Sequence, residues 1–231
     1  MLLALDTATR QAGLALYDGK MVRAESTWHA GRYHTEWLTS AIQQTLTRIR
    51  ASMQDLSAVA VTIGPGSFTG LRVAMSLAKG IAAARNLPII GIETLDVTAY
   101  SHIGPHVTVC ATLAAGRNRH AYAFYDADGP NNSFTRTTVH VAYLADLLNL
   151  ISEHESKHPL HIVGEFTPDE RQQFANHAPG SSGMRIVPPA LSVRRPAVLA
   201  ELAWQRFLKQ EADDLHTLEP IYLNVPKAKR A

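Results

Sequence analysis

Disulfides, membrane spans and a strong charge of either sign are all missing from this sequence of 231 residues. Cys110 is the only cysteine, so no internal disulfide can form, and a lone thiol in an apolar run is typical of a reducing compartment. Asp6 and Arg10 interrupt the amino-terminal stretch, which predicts no secretion signal, and no apolar run is long enough to cross a membrane. The formal net charge of +2 is too small to indicate nucleic-acid binding by itself. These absences predict a cytoplasmic protein with no membrane partner.

The composition suits a globular chain with an apolar core, since 46% of the residues are hydrophobic and 18% are charged. The chain is organised around residues 59–85, where a β-branched strand leads into a glycine-rich turn and then into an apolar helix. The turn consists of Gly64, Pro65, Gly66, Ser67, Phe68, Thr69 and Gly70. Ser67 or Thr69 can cap the helix. The glycine spacing matches neither the dinucleotide fingerprint nor the P-loop, which favours a tight turn over a phosphate site.

The helix after this turn has two apolar stripes, although docking on its own sheet requires only one. The stripe assigned to the core consists of Leu71, Ala74, Met75, Ala78 and Ile81. The second stripe consists of Val73, Leu77, Gly80 and Ala84. A helix predicted over residues 34–50 offers His34, Trp37 and Ala41 beside its own core stripe. Because small residues allow close helix packing and exposed apolar patches attract partners, we expect these two helices to form the main partner contact.

The predicted elements occur in the same order in both halves of the chain. Each half reads as three strands, a helix, a strand, a helix and a strand, which is the pattern of a duplicated ribonuclease-H-like domain. The predicted fold class is therefore α/β, with two tandem ribonuclease-H-like lobes of the actin-like ATPase type, whose mixed sheets are flanked by helices. Residues 1–101 are predicted to form the first, partner-binding lobe and residues 102–231 the second. This division is compatible with a last helix, near residues 196–209, that returns to pack on the first lobe.

Asp6 ends the first strand, where ribonuclease-H-like nucleases and actin-like ATPases hold a metal or a phosphate. With Thr7 it forms a candidate vestigial phosphate site, and the alternative is that its carboxylate caps the turn that follows. A nuclease would need further carboxylates for its metal ions, but the strand at residues 59–63 leads only into Gly64. The residues therefore disfavour a nuclease. They leave open an actin-like ATPase that uses Asp6, Thr7 and the turn at residues 64–70.

His154 and His158 occur in the pattern H-E-x-x-H, which is the signature of zinc peptidases. The match lies at a charged helix end, Pro159 follows it directly, and no third ligand is evident. We expect no metal at these histidines, and a metallopeptidase of the M22 type stays as a further alternative.

Four segments, MLLALDTAT, YHTEWL, VTIGPGSFTGLRVAMSLAKGIA and EPIYLNV, resemble the TsaB (YeaZ) family over nearly the whole chain. Members of this family are partners of TsaD in making N6-threonylcarbamoyladenosine beside the tRNA anticodon. In TsaD, the strand after the shared helix leads to two histidines that bind the catalytic metal. Thr94 and Thr98 stand at the matching positions, and a hydroxyl is a poor substitute for imidazole on a transition metal.

The resemblance therefore implies a non-catalytic scaffold or dimerisation subunit that holds no metal. No cofactor is expected, and this includes ATP. The implied partners are a TsaD-like catalytic subunit and a TsaE-like ATPase, with tRNA engaged indirectly through the complex. Alone, the chain is expected to form a homodimer with two-fold symmetry through the same two helices.

Overall fold

The computed structural model describes residues 1–30, 34–129, 133–153, 158–177 and 183–223, except for the side chains of residues 34–36. The chain divides into two compact units. The first unit contains Met1–Val97 and Arg194–Ile221, and the second contains Thr98–Val193 together with the chain from Tyr222 onward. Among the described residues, every helix is too short or too polar to cross a membrane.

The first unit is built on a five-stranded sheet. Its strands are β1 (Leu2–Asp6), β2 (Gln11–Tyr17), β3 (Val22–His29), β4 (Ala58–Gly64) and β5 (Ile89–Glu93). Its first two helices are α1 (His34–Arg48) and α2 (Phe68–Arg85), and α3 (Thr94–Tyr100) leads into the second unit. The spatial order is β3-β2-β1-β4-β5, with β1 antiparallel to β2 and parallel to β4. Strands β1, β4 and β5 are buried along nearly their whole length, as expected for parallel strands covered by helices.

The second unit repeats this arrangement. Its strands are β6 (Thr108–Ala114), β7 (Arg119–Ala127), β8 (Phe134–Arg136), β9 (His140–Tyr143), β10 (Leu160–Gly164) and β11 (Met184–Ile186). Its helices are α4 (Leu144–Ser152) and α5 (Pro168–His177). The spatial order is β11-β10-β6-β7-β8, and β9 also pairs with β7. The repeated order confirms the predicted fold class of two ribonuclease-H-like lobes.

One predicted strand of the second unit is wrong in its bounds. The sequence predicts a single strand over residues 134–139, but the structure has β8 and β9 with a break between them. The hydroxyl of Thr137 accepts the N–H of Phe124 at 3.1 Å. A side-chain acceptor of this kind competes with the backbone ladder, and the strand is therefore interrupted at this residue.

The last helix, α6 (Pro196–Leu208), belongs to the first unit and packs on β1 and β2. Pro196 occupies its first turn, where a missing N–H has no consequence. Glu25 on β3 caps the helix by accepting the N–H of Ala197 at 3.0 Å, and its other oxygen pairs with Arg195. The sheet of the first unit is therefore covered by α1 and α2 together with this later helix.

Two histidines of the second unit have lowered pKa values. Burial lowers the pKa of His102, and the nearby His161 and Arg185 add to this, although the hydrogen bond between its Nε2 and the Leu191 carbonyl opposes it. Burial and Arg185, which pairs in register with His161 on the next strand, lower the pKa of His161. Both side chains therefore bind protons less readily in the folded chain than in the unfolded chain.

We expect these histidines to make the protein less stable in acid. The pKa of a histidine in the unfolded chain is about 6.5. The contribution of the two neutral histidines to the free energy of unfolding is therefore complete above that pH and is lost as the pH falls below it. Urea unfolding followed by circular dichroism should give a lower midpoint at about pH 5.5 than at about pH 7.5. The double variant His102→Asn/His161→Asn should show a shallower loss between the same two pH values. An equally steep loss in that variant would contradict the assignment.

Candidate functional site: the glycine turn, Asp6 and the α1–α2 face

The glycine turn at residues 64–70 joins β4 to α2, as the sequence predicts. Ser67 is the N-cap of α2, and its hydroxyl accepts the N–H of Gly70 at 3.3 Å. The N–H of Ser67 donates to the carbonyl of Ala8 at 2.7 Å. The turn therefore lies directly against the backbone that follows β1.

Close backbone packing explains two of the glycines. A Cβ added to Gly66 would overlap the carbonyl oxygen of Ala8, and one added to Gly70 would overlap that of Thr7. These contacts are with backbone, which cannot rotate away as a flexible side chain can. The geometry supplies a packing reason for this spacing and favours the tight turn over the phosphate site.

Asp6 and Thr7, the candidate phosphate residues, are both buried and engaged. Asp6 is 2% exposed, and its Oδ1 accepts the N–H of Ala8 and the hydroxyl of Thr62, each at 2.9 Å. Thr7 is fully buried, and its hydroxyl donates to the carbonyl of Gly70 at 2.6 Å. The bond to Ala8 is the turn cap that the sequence offers as the alternative for Asp6.

Arg194 is the residue of this site that sequence reasoning misses. Its Nε donates to Asp6 Oδ2 at 2.5 Å, and its side chain is only 2% exposed. The two residues are 188 positions apart. Two adjacent arginines before the helix-starting Pro196 are the only signal in the sequence, and they do not indicate which acid they meet.

The predicted partner-binding residues lie on α1 and α2, and we call the surface that they form the α1–α2 face. Trp37, Gly80 and Ala84 are exposed, and Ala41, Val73 and Leu77 are partly buried. His34 begins α1, and its side chain lies outside the described residues.

The prediction that the second stripe of α2 lies apart from the core is wrong for Val73 and Leu77. Both pack against the core cluster of the first unit. The core stripe of α2 contains small residues such as Ala74 and Ala78, so the longer side chains beside them reach the same cluster. The exposed part of the face is therefore narrower than the sequence predicts.

Gly80 has no packing role among the described residues. A Cβ added to it would meet no atom of them within 4 Å, and its backbone is helical. Glycine in an exposed helix interior costs about 1 kcal/mol relative to alanine. The described part of the chain offers no compensating contact, in contrast to Gly66 and Gly70.

The threonines at the TsaD metal positions lie in α3, where Thr94 is fully buried and Thr98 is 6% exposed. Within the described ranges, no group of three or more histidine, cysteine, aspartate or glutamate side chains could hold a metal. His158 packs its ring against His106 at 5.3 Å between centroids, and His154 lies outside the described residues.

Comparison with known proteins gives a consistent set of relatives. The family described as "TsaD: tRNA N6-adenosine threonylcarbamoyltransferase" matches residues 28–230. The tRNA threonylcarbamoyladenosine biosynthesis protein TsaB of Escherichia coli is 39% identical over 98 residues, which is 42% of each chain. The protein of the same name from Bacillus subtilis is 29% identical over 232 residues, covering 99% of this chain and 96% of its own.

Among solved structures, YeaZ from Pseudomonas aeruginosa superposes with a TM-score of 0.75 at 19% identity. The match covers 96% of this chain and 99% of that one. At this identity the likeness shows the fold, and it includes both units.

Proposed function

Because this chain belongs to the TsaD family, in its TsaB (YeaZ) branch, and to tRNA threonylcarbamoyladenosine biosynthesis, we propose that it acts there as a non-catalytic scaffold subunit. Its partner is a TsaD-like catalytic chain, which binds the α1–α2 face. A TsaE-like ATPase joins the same complex, and tRNA is engaged through the complex. When alone, the chain pairs with a second copy through that face.

The exposed position of Gly80 is the main support for this proposal. Gly80 lies exposed on α2 between Leu77 and Ala84, and a Cβ added there would meet no described atom within 4 Å. A flat helix surface lets another helix approach closely, and the exposed ring of Trp37 on α1 adds a large apolar contact. A partner helix would supply the contacts that this glycine lacks within the described residues.

The two other candidate functions receive less support. An actin-like ATPase would have to use Asp6 and Thr7, whose side chains are already hydrogen-bonded inside the first unit. A metallopeptidase would need a third ligand beside His154 and His158, and the ring of His158 packs against His106 in the second unit.

The variant Gly80→Arg tests the proposal. We expect it to fold at least as stably as the parent, because the new side chain extends into solvent and the cost of glycine is removed. It should lose co-purification with a TsaD-like chain and should sediment as a monomer. An unpaired buried charge costs roughly 3–5 kcal/mol, which is at least a hundredfold in affinity.

Gln173→Arg is the matched control, since Gln173 is exposed on a helix of the second unit and receives the same charge. It should keep both interactions. If Gly80→Arg still binds its partner and still self-associates, the face has been chosen wrongly. Leu77→Glu is a poorer probe, because Leu77 contacts the core and its loss would destabilise the fold as well.

A further inference from the structure

The fold class implies a metal or phosphate at Asp6, and the residues present do not fit one. A carboxylate has about four acceptor positions. Asp6 uses one for the N–H of Ala8, one for the hydroxyl of Thr62 and one for the guanidinium of Arg194. Its side chain is 2% exposed, so the position is closed to solvent by the chain itself.

Arg194 is held at this position by further hydrogen bonds within the first unit. Its Nη2 donates to the hydroxyl of Thr9 at 3.0 Å and to the carbonyl of Gln11 at 3.3 Å. Its backbone N–H donates to Oε1 of Gln11 at 2.9 Å. The guanidinium therefore spans the turn between β1 and β2 and is fixed from both sides.

This arrangement opposes both kinds of ligand. A divalent cation at Asp6 would lie beside the buried positive charge of Arg194, in a site where charges are poorly screened. A phosphate would approach the carboxylate with no metal to bridge the two, because the guanidinium already occupies the cation's place. Neighbouring Thr62 and Gly64 at the end of β4 carry no carboxylate, so any cation at this position would depend on Asp6.

We propose that Arg194 is a built-in substitute for a cation at Asp6, and that it closes this position to metal ions and nucleotide phosphates. The chain thereby keeps a carboxylate at the position that is typical of its fold class. Asp6 is neutralised there by Arg194 and hydrogen-bonded within the first unit. The residue comes from the segment that returns to the first unit, so the same bond also fixes the start of α6 against β1.

Binding of Mn²⁺ to the full chain, measured from the loss of the free-ion electron paramagnetic resonance signal, tests this proposal. The parent chain should bind no Mn²⁺ and no Mn²⁺-ADP through Asp6. Arg194→Ala should gain Mn²⁺ binding, and the double variant Asp6→Asn/Arg194→Ala should lose it again. Arg206→Ala is the matched control, because it frees Asp213 from a partly exposed ion pair and should gain no such binding.

Two results would overturn the proposal. The first is Mn²⁺ or Mn²⁺-ADP binding by the parent chain that Asp6→Asn abolishes. The second is a folded Arg194→Ala variant, checked by circular dichroism, that gains no Mn²⁺ binding. If Arg194→Ala does not fold, Arg194→Gln, which keeps hydrogen-bond donors without the charge, replaces it. The comparison of Mn²⁺ binding by the parent chain and by Asp6→Asn remains decisive in either case. Neither result bears on the binding of a TsaD-like partner.

Discussion

Arg194→Ala should lower the free energy of unfolding by about 3–5 kcal/mol, the usual effect of removing one member of a buried ion pair. The loss is large because Asp6 would stay buried with its charge uncompensated. The hydroxyl of Thr9 and the carbonyl of Gln11 would each lose one of their donors. Chemical denaturation of the purified chain at neutral pH measures the effect directly.

Two further variants separate charge from packing in this experiment. Asp6→Asn/Arg194→Met removes both charges and should lose less stability than the two single changes predict together, since neither charge is then left alone. Arg195→Ala is the neighbouring control. Arg195 pairs with Glu25 while its side chain is 55% exposed, and exposed pairs contribute only about 0–1 kcal/mol. Similar losses in the free energy of unfolding for Arg194→Ala and Arg195→Ala would show that burial does not increase the contribution of the Arg194–Asp6 pair to stability.

The same glycine-to-alanine change should have opposite effects at two positions of α2. Gly70→Ala places a Cβ against the carbonyl oxygen of Thr7, and backbone must move to relieve the overlap, so we expect a loss of about 3 kcal/mol or more. Gly80→Ala meets open space in a helical backbone and should gain about 0.5–1 kcal/mol.

Urea unfolding of the two variants beside the parent chain checks this prediction, at concentrations low enough to prevent self-association. The pair is matched because both glycines lie in one helix and both changes add one methyl group. A stabilising Gly70→Ala would show that the turn is not packed as described. A strongly destabilising Gly80→Ala would place an unrecognised contact within the chain at that residue.

Hydrophobic periodicity predicts most of the fold because it reports which face of each element is buried. The helix over residues 68–85 is a clear case, since its cap, its core stripe and its end beyond Arg85 all leave local signals. Helix α3 is missed because seven residues carry too little periodicity to be distinguished from a loop. The break between β8 and β9 is missed because one threonine hydroxyl decides it.

The candidate site is only partly predictable from the sequence, since its parts are distant in the chain. The turn at residues 64–70 and Asp6 are recognisable by their place beside apolar strands. Spacing alone cannot show that Gly66 and Gly70 face backbone and Gly80 faces open space. Nor can it show that Arg194 reaches Asp6, because no local pattern encodes a contact across 188 residues.

The split of the first unit between residues 1–97 and 194–221 has a consequence for synthesis on the ribosome. The strands of its sheet emerge early, but the helix that covers β1 and β2 emerges only after residues 98–193 of the second unit have been translated. Until then Asp6 is without its arginine, and one apolar side of the sheet is uncovered. Residues 98–193, the main segment of the second unit, are continuous and can fold as soon as they have emerged. The unit whose synthesis starts first is therefore completed only after this later segment has been made.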